Sequence, residues 1–411
     1  MITGRSGSGL QYAVKKSGAS VAYCALSIRC GTRNEEGYHG GIAHFVEHTL
    51  FKGTTRRSAS VINNYLDKLG GELNAFTTKE EIVFHATVLK EDLKKAADLL
   101  FELATCATFP ENEINIEKGV VIDEIQSYKD TPSEDIYDKF EEMLFKGHPL
   151  SGNILGTKAS VRKITRNELL EFVKEQFQPS RMAFSIVADI DEKSMEKHVL
   201  KLSEKYFPGV ISDNENTVQK NTAVPAAEPF DVTLNKRNHQ ANCIIGGFAP
   251  SLYEERERLA TVLLCNILGG PANNSILNAV LREKNGWVYG VECSFTQYSD
   301  TGIVAISLGC DKSNLDKCIN AINKELTKLQ EEALSDRKLK SAKKQLLGQL
   351  AISGDNGETQ CLSMGKGLLA YGKLNSGKEN KELIEAITAE DIRQMAQRIF
   401  AKTNLSKLIY I

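Results

Sequence analysis

No apolar run in this chain approaches the roughly 18 residues that a membrane-spanning helix requires, so none is expected. An apolar stretch is also missing at the start: Met1 to Gly9 reads Met-Ile-Thr-Gly-Arg-Ser-Gly-Ser-Gly, and no secretory signal is expected. Charge of one sign is scarce. With 51 basic and 53 acidic side chains the formal net charge is −2, which argues against a nucleic-acid binder. The nine cysteines, at 24, 30, 106, 243, 265, 293, 310, 318 and 361, are odd in number and include no C-x-x-C pair. Neither a disulfide framework nor a thiolate zinc site is therefore indicated. Most sit in apolar stretches such as Val262-Leu263-Leu264-Cys265 and read as small core residues, and a reducing, cytoplasmic location is expected.

What is present is an ordinary globular composition, 41% hydrophobic and 25% charged, in a chain of 411 residues. That length exceeds one compact core and predicts two or three domains. Period-two and period-3.6 patterns alternate, which predicts an α+β fold. Strands are expected at Val21 to Arg29 and Ile82 to Leu89. Helices are expected at Gly41 to Lys52, Ser60 to Leu69, Lys90 to Ala104, Glu113 to Tyr128 and Ser133 to Phe145. In the third of these, Leu93, Ala96, Leu100 and Leu103 share one face.

The rhythm breaks between Pro208 and Pro229, where Ser212-Asp213-Asn214-Glu215-Asn216 and Pro225-Ala226-Ala227-Glu228-Pro229 have linker composition. This predicts a first domain over 1–210, a linker over 211–228 and a second domain over 229–411. The second reads as a copy of the first. Helices opening at Ile164-Thr165 and Ile387-Thr388 reach Phe177 and Phe400 at equal distance, and a strand follows each, Met182 to Val187 and Leu405 to Ile411. Thr165 with Glu168, and Thr388 with Asp391, have capping-box spacing. Lys90-Glu91-Asp92-Leu93 and Lys312-Ser313-Asn314-Leu315 open matching helices. The expected fold class is thus α+β, two similar domains, each a mostly antiparallel sheet with helices on one face.

The strongest chemical signal is Gly41-Ile42-Ala43-His44-Phe45-Val46-Glu47-His48. On a helix, His44 and His48 lie four apart and project from one face, the spacing two imidazoles need to share a zinc ion. Glu47 can lean over that metal without ligating it, placed to take a proton from water. This is the H-x-x-E-H order. A catalytic zinc needs a third protein ligand and an open position. The helix over Ile114 to Tyr128 offers Glu117 and Glu124, seven apart and nearly on one face. That face is expected to include Val120 and Val121 and to point inward, where a carboxylate needs a partner or a metal. Spacing alone leaves open which acid ligates and which orients a histidine.

Taken with these residues, the chain resembles the pitrilysin/insulinase family of inverted-zincin (H-x-x-E-H) metallopeptidases, in the short two-domain type of the mitochondrial processing peptidase subunits. The pieces that match are His44 to His48, Glu124 after 75 intervening residues, Phe51-Lys52-Gly53-Thr54, and the Asn74-Ala75-Phe76-Thr77 segment. The helix from Glu117 to Glu124 matches the family's paired acids. The resemblance implies one zinc per chain held by His44, His48 and Glu124, with Glu117 orienting a ligand and Glu47 as general base. It implies that Asn74, Ala75, Phe76 and Thr77 form an exposed edge strand to which an extended peptide adds. In the second half, Leu281 to Gly290 resembles the family's arginine–tyrosine segment, which implies that Arg282 holds substrate and Tyr289 stabilises an oxyanion.

The second half has no H-x-x-E-H; its corresponding helix, Arg256 to Leu268, is apolar around Leu259-Ala260-Thr261-Val262-Leu263-Leu264-Cys265. By resemblance, two copies form a clam-shell homodimer that cleaves short or unfolded peptides, with Arg282 and Tyr289 acting in trans. Two alternatives come from the same family: a catalytically silent structural or substrate-binding subunit, and a targeting-peptide processing subunit. Manganese or cobalt could occupy the same N,N,O ligand set. Gly269-Gly270-Pro271 lacks the phosphate-loop pattern and reads as a helix–helix turn, while Arg337 to Lys344 reads as a solvated helix face.

Overall fold

The computed structural model describes residues 1–209, 224, 228–236 and 238–411. Most of the expected linker, 211–228, lies outside them. The chain opens with β1 (Ile2–Arg5), β2 (Gln11–Lys16) and β3 (Val21–Ile28), followed by α1 (Ile42–Leu50) and α2 (Ala59–Asp67). Next come β4 (Glu72–Thr77), β5 (Ile82–Leu89), α3 (Leu93–Cys106), α4 (Glu111–Lys129) and α5 (Pro132–Leu144). The sequence continues through α6 (Lys158–Lys163), α7 (Arg166–Gln176), β6 (Met182–Ala188) and α8 (Glu192–Tyr206). The second half carries β7 (Asp231–Leu234), β8 (Ala241–Ala249), α9 (Glu255–Gly269), β9 (Val288–Gln297), β10 (Gly302–Cys310) and α10 (Leu315–Glu331). It ends with α11 (Asp336–Gly354), α12 (Gly357–Tyr371), α13 (Gly377–Ala386), α14 (Ala389–Ile399) and β11 (Ser406–Tyr410). None of these helices is long and apolar enough to cross a membrane.

The duplication is explicit in the strand order. One sheet runs β1-β2-β6-β3-β5-β4 and the other β7-β11-β8-β10-β9. Without the extra edge strand β1, the two orders superpose strand for strand. Each has one parallel pair, β2 with β6 and β7 with β11, and its other neighbours are antiparallel. Both capping boxes form: Thr165 accepts from the Glu168 N–H and Thr388 from the Asp391 N–H, each acid reaching back to its threonine. Two orphan donors are satisfied at each helix start, so both halves begin the helix that precedes β6 or β11 in the same way. The two opening turns at Lys90–Asp92 and Lys312–Asn314 are single 3-10 turns leading into α3 and α10.

The α+β class holds. On the main face of the first sheet, Leu26, Ile28, Phe84 and Phe184 pack against Ala96, Leu99, Leu100, Phe101 and Leu103 of α3 and Val199 of α8. In the second sheet, Ile245, Val304 and Ile306 meet Leu263 and Leu264 of α9, Ile322 of α10 and Ile392 of α14. The opposite faces are also covered, each by one helix from the other half of the sequence. Cys361, Met364, Leu368 and Leu369 of α12 pack on Ala13, Ala25, Val83 and Ala183 of the first sheet. Ile136, Phe140 and Leu144 of α5 pack on Ile244, Ile303, Leu408 and Tyr410 of the second. The two compact units are accordingly discontinuous: 1–126, 152–220 and 352–374 form one, and 127–151, 221–351 and 375–411 the other. All nine cysteines are free and eight are buried, as their apolar surroundings suggest.

Candidate metal centre

Helix α1 begins at Gly41, which takes a left-handed conformation and has no side chain to cap the helix. The cap comes from a distance. The Glu35 carboxylate accepts the Gly41 N–H at 2.8 Å and the Ala43 N–H at 2.9 Å, two of the orphan donors of the first turn. An acid at that end also complements the helix dipole. Burial pushes the Glu35 pKa up to about 8, against the opposing pull of those N–H groups and of Lys79. The first turn is pinned, and Phe45 N–H closes it on the Gly41 carbonyl at 2.9 Å.

From this helix His44 and His48 project together, their rings 4.6 Å apart. α4 lies opposite and supplies Glu124. Its Oε2 is 3.7 Å from His44 Nε2 and 3.5 Å from His48 Nε2. Ligands on a tetrahedral zinc ion at about 2.0–2.1 Å stand roughly 3.4 Å apart, close to both carboxylate–imidazole separations, and the three ligand atoms all lie within 4.8 Å of one another. Glu124 Oε2 is buried and has no hydrogen-bond partner; with both imidazoles neutral, a bound cation would compensate its charge. Among the described residues, this trio is the one group of three or more His, Cys, Asp or Glu side chains that could hold a metal.

Glu117 takes the other role. Its Oε2 meets His48 Nδ1 at 3.1 Å and its Oε1 meets Lys52 Nζ at 2.6 Å. It points away from the ligand cluster and holds the His48 ring with Nε2 facing Glu124. Glu47, beside His48, is half-buried and accepts the Thr77 hydroxyl at 2.5 Å. Of the expected inward face of α4, Ile114, Glu117, Val121 and Ile125 are buried, but Val120 is 47% exposed. The buried steps of three and four residues follow the helical repeat and leave Val120 on the outer side.

The electrostatics divide the two histidines. Burial, with help from the nearby His48, pushes the His44 pKa down to about 4. Burial works the same way on His48, but Glu117 and Glu124 outweigh it and lift its pKa to about 9. Contact with His48 holds Glu124 below the usual carboxylate range. Burial would raise Glu117, yet His48 and Lys52 together bring it below that range. Glu47 is raised by burial, only partly offset by the Thr77 hydroxyl.

The expected peptide-binding residues Asn74 to Thr77 fall on β4, an edge strand of the first sheet. Asn74 and Phe76 are exposed, and Thr77 ties the strand to Glu47. Arg282 and Tyr289 belong to the second compact unit. Arg282 is exposed in a π-helical turn over Asn278–Glu283. Tyr289 lies on β9, the edge strand of its sheet, 63% exposed and 3.4 Å from Asp311. It lines a recess of about 420 Å3 with Tyr137, Asn242, Glu292 and Ser307. Neither Glu35 nor Lys52 is assigned a role from the sequence alone. Lys52 was accessible, since H-x3-H-x3-K set against E-x6-E places a base beside each acid; Glu35 was not, because a loop acid six residues before a glycine carries no spacing rule.

Comparison with known proteins identifies the family. The family model described as Insulinase (Peptidase family M16) matches residues 12–158, and the one described as Peptidase M16 inactive domain matches 163–346. A protein of Rickettsia felis named "Uncharacterized zinc protease" is 29% identical over 384 residues, 93% of this chain and 91% of its own length. One of Bacillus subtilis, "Uncharacterized zinc protease YmxG", is 29% identical over 398 residues, 96% and 95% of the two chains. Two crystal structures share the fold across 100% of this chain. A protease from Helicobacter pylori has a TM-score of 0.86 at 19% identity over 98% of its chain. A peptidase M16 inactive domain from Pseudomonas fluorescens has 0.88 at 16% over 97%. With both family models matching in order along one chain, and with the duplicated fold and the H-x-x-E-H cluster in place, the protein belongs to the pitrilysin/insulinase family, peptidase family M16.

Proposed function

We propose that this chain is a zinc-dependent endopeptidase that hydrolyses short or unfolded peptides, with one zinc per chain on His44, His48 and Glu124. The observation that carries the reading is the convergence of two imidazole Nε2 atoms on a buried, otherwise unpaired carboxylate oxygen, with a second carboxylate, Glu47, held beside them. The printed name of the relatives, zinc protease, agrees with it. A zinc ion bound there supplies Lewis acidity, drawing the pKa of water towards neutrality and polarising a scissile carbonyl. Glu47 takes the proton from the attacking water and passes it to the leaving amine. Burial raises its proton affinity above that of an ordinary glutamate, the direction a base working near neutral pH needs. Thr77 fixes the carboxylate's orientation, and Glu117 fixes that of His48.

The edge strand β4 carries Asn74 to Thr77 beside Glu47, so a peptide adding to it as a further strand passes the metal residues. Arg282 and Tyr289 complete the site from the second unit of a partner subunit in a homodimeric clam-shell, the arginine on a substrate carbonyl and the tyrosine on the oxyanion. Nine unpaired thiols fit a reducing cytoplasm.

Hydrolysis of quenched fluorescent peptides, stopped by a chelator and restored by equimolar zinc, tests the activity. A chain that takes up zinc and still cleaves none of a diverse peptide set would refute it. Mixing Glu47→Gln with Tyr289→Phe tests the dimer, because trans contribution predicts that the mixture regains activity neither variant has. No recovery after subunit exchange would overturn that arrangement.

A further inference from the structure

We infer that Lys52 is a positioning residue of the metal centre, holding Glu117 as the acceptor of the His48 Nδ1 proton and keeping that carboxylate out of the ligand set. This rests on the reading that His44, His48 and Glu124 hold the metal. His44, His48 and Lys52 follow one another at intervals of four, while Glu117 and Glu124 stand seven apart on the facing helix. The two series interlock in the order His44, Glu124, His48, Glu117, Lys52, with successive contacts of 3.7, 3.5, 3.1 and 2.6 Å.

Lys52 closes that ladder from a fixed place, since its N–H bonds the Thr49 carbonyl at 3.1 Å in the turn that ends α1. Glu117 is only 4% exposed, and each of its oxygens has one partner, the ammonium or the imidazole. A carboxylate so buried requires a counter-charge, and His48 cannot be that charge once its Nε2 ligates a metal and the ring is neutral. Lys52 then remains the cation bonded to Glu117. Without it the carboxylate is free to turn, and the bond that fixes the His48 tautomer loosens.

The opposite prediction comes from treating Lys52 merely as a nearby positive charge, for its removal would then tighten cation binding. Zinc affinity therefore decides by its sign. It is measured on the full chain by competition with a chromophoric chelator at fixed pH and ionic strength, with folding checked by circular dichroism. Lys52→Met is expected to weaken zinc binding about tenfold, and Lys52→Arg to stay within about threefold of the wild type. In a Glu117→Gln background Lys52→Met should add less than about twofold, because its effect passes through Glu117. Unchanged or tighter binding in Lys52→Met, or an equal loss in the Glu117→Gln background, would overturn the inference while leaving the metal site standing. A wild type that takes up no stoichiometric zinc would remove the metal site and the inference together.

Discussion

Gly41→Ala is the substitution whose outcome follows most directly from the geometry. Gly41 has φ of +89°, and an added Cβ would stand 2.6 Å from the Leu155 carbonyl oxygen and 2.9 Å from Gly156 Cα. Both neighbours are backbone, so the helix start or the facing loop must shift. An alanine in the left-handed region costs about 1–2 kcal/mol, and forcing a methyl into a filled site costs about 1–3 kcal/mol. Restricting the unfolded chain offsets about 0.4–1 kcal/mol. The net loss is about 1–4.5 kcal/mol, on the order of 10 °C in Tm for domains of this size. Gly37 provides the control: its φ is +88° and nothing lies within 4 Å of an added Cβ. Gly37→Ala carries the conformational cost without the clash, about 0–1.5 kcal/mol. Urea unfolding of both variants measures the difference, and chelator competition measures zinc affinity in the folded proteins. Because the first turn of α1 places His44, zinc binding should weaken about tenfold in Gly41→Ala alone. Equal losses in the two variants, or undiminished zinc binding in Gly41→Ala, would refute the reasoning.

Two further predictions concern protons. In the metal-free chain His48 keeps its proton up to about pH 9, whereas His44 is neutral above about pH 4. Ligation needs both neutral, so above about pH 4 and below the pH at which a zinc-held water ionises, zinc binding should release about one proton. The buffer dependence of the calorimetric enthalpy reads this directly, and zinc uptake near pH 7 without proton release would contradict it. The Thr77 hydroxyl lowers the Glu47 pKa, so Thr77→Val should raise it and move the acid limb of the kcat/KM profile to higher pH. An unmoved limb would show that Thr77 does not act on the base.

The local features were legible because local chemistry specifies them. Four-residue spacing put His44 and His48 on one face, seven-residue spacing put Glu117 and Glu124 on another, and threonine-plus-acid spacing marked two helix starts. Which acid ligates did not follow from spacing. It follows from the facing of the helices, which sets Glu124 against both imidazoles and Glu117 between His48 and Lys52. The exchange of α5 and α12 was hidden for the same reason. Their apolar stripes show that each is buried, but not which sheet accepts it, and Ala13, Ala25 and Ala183 become a docking face only once the strands are side by side. The strands Ile2–Arg5 and Gln11–Lys16 were also unread, one only partly buried and the other buried for four residues in succession, so neither shows a full apolar–polar alternation.

If Glu47 acts as a base beside a zinc ion on His44, His48 and Glu124, its amide replacement must abolish turnover and leave the metal bound. The direct measurement is peptide hydrolysis by the wild type and Glu47→Gln, with bound zinc quantified in both. Cleavage by the wild type is expected, with a loss of about 10²-fold or more in Glu47→Gln and zinc remaining near one per chain in each. Cleavage by Glu47→Gln at the wild-type rate, or no stoichiometric zinc in the wild type, would contradict it.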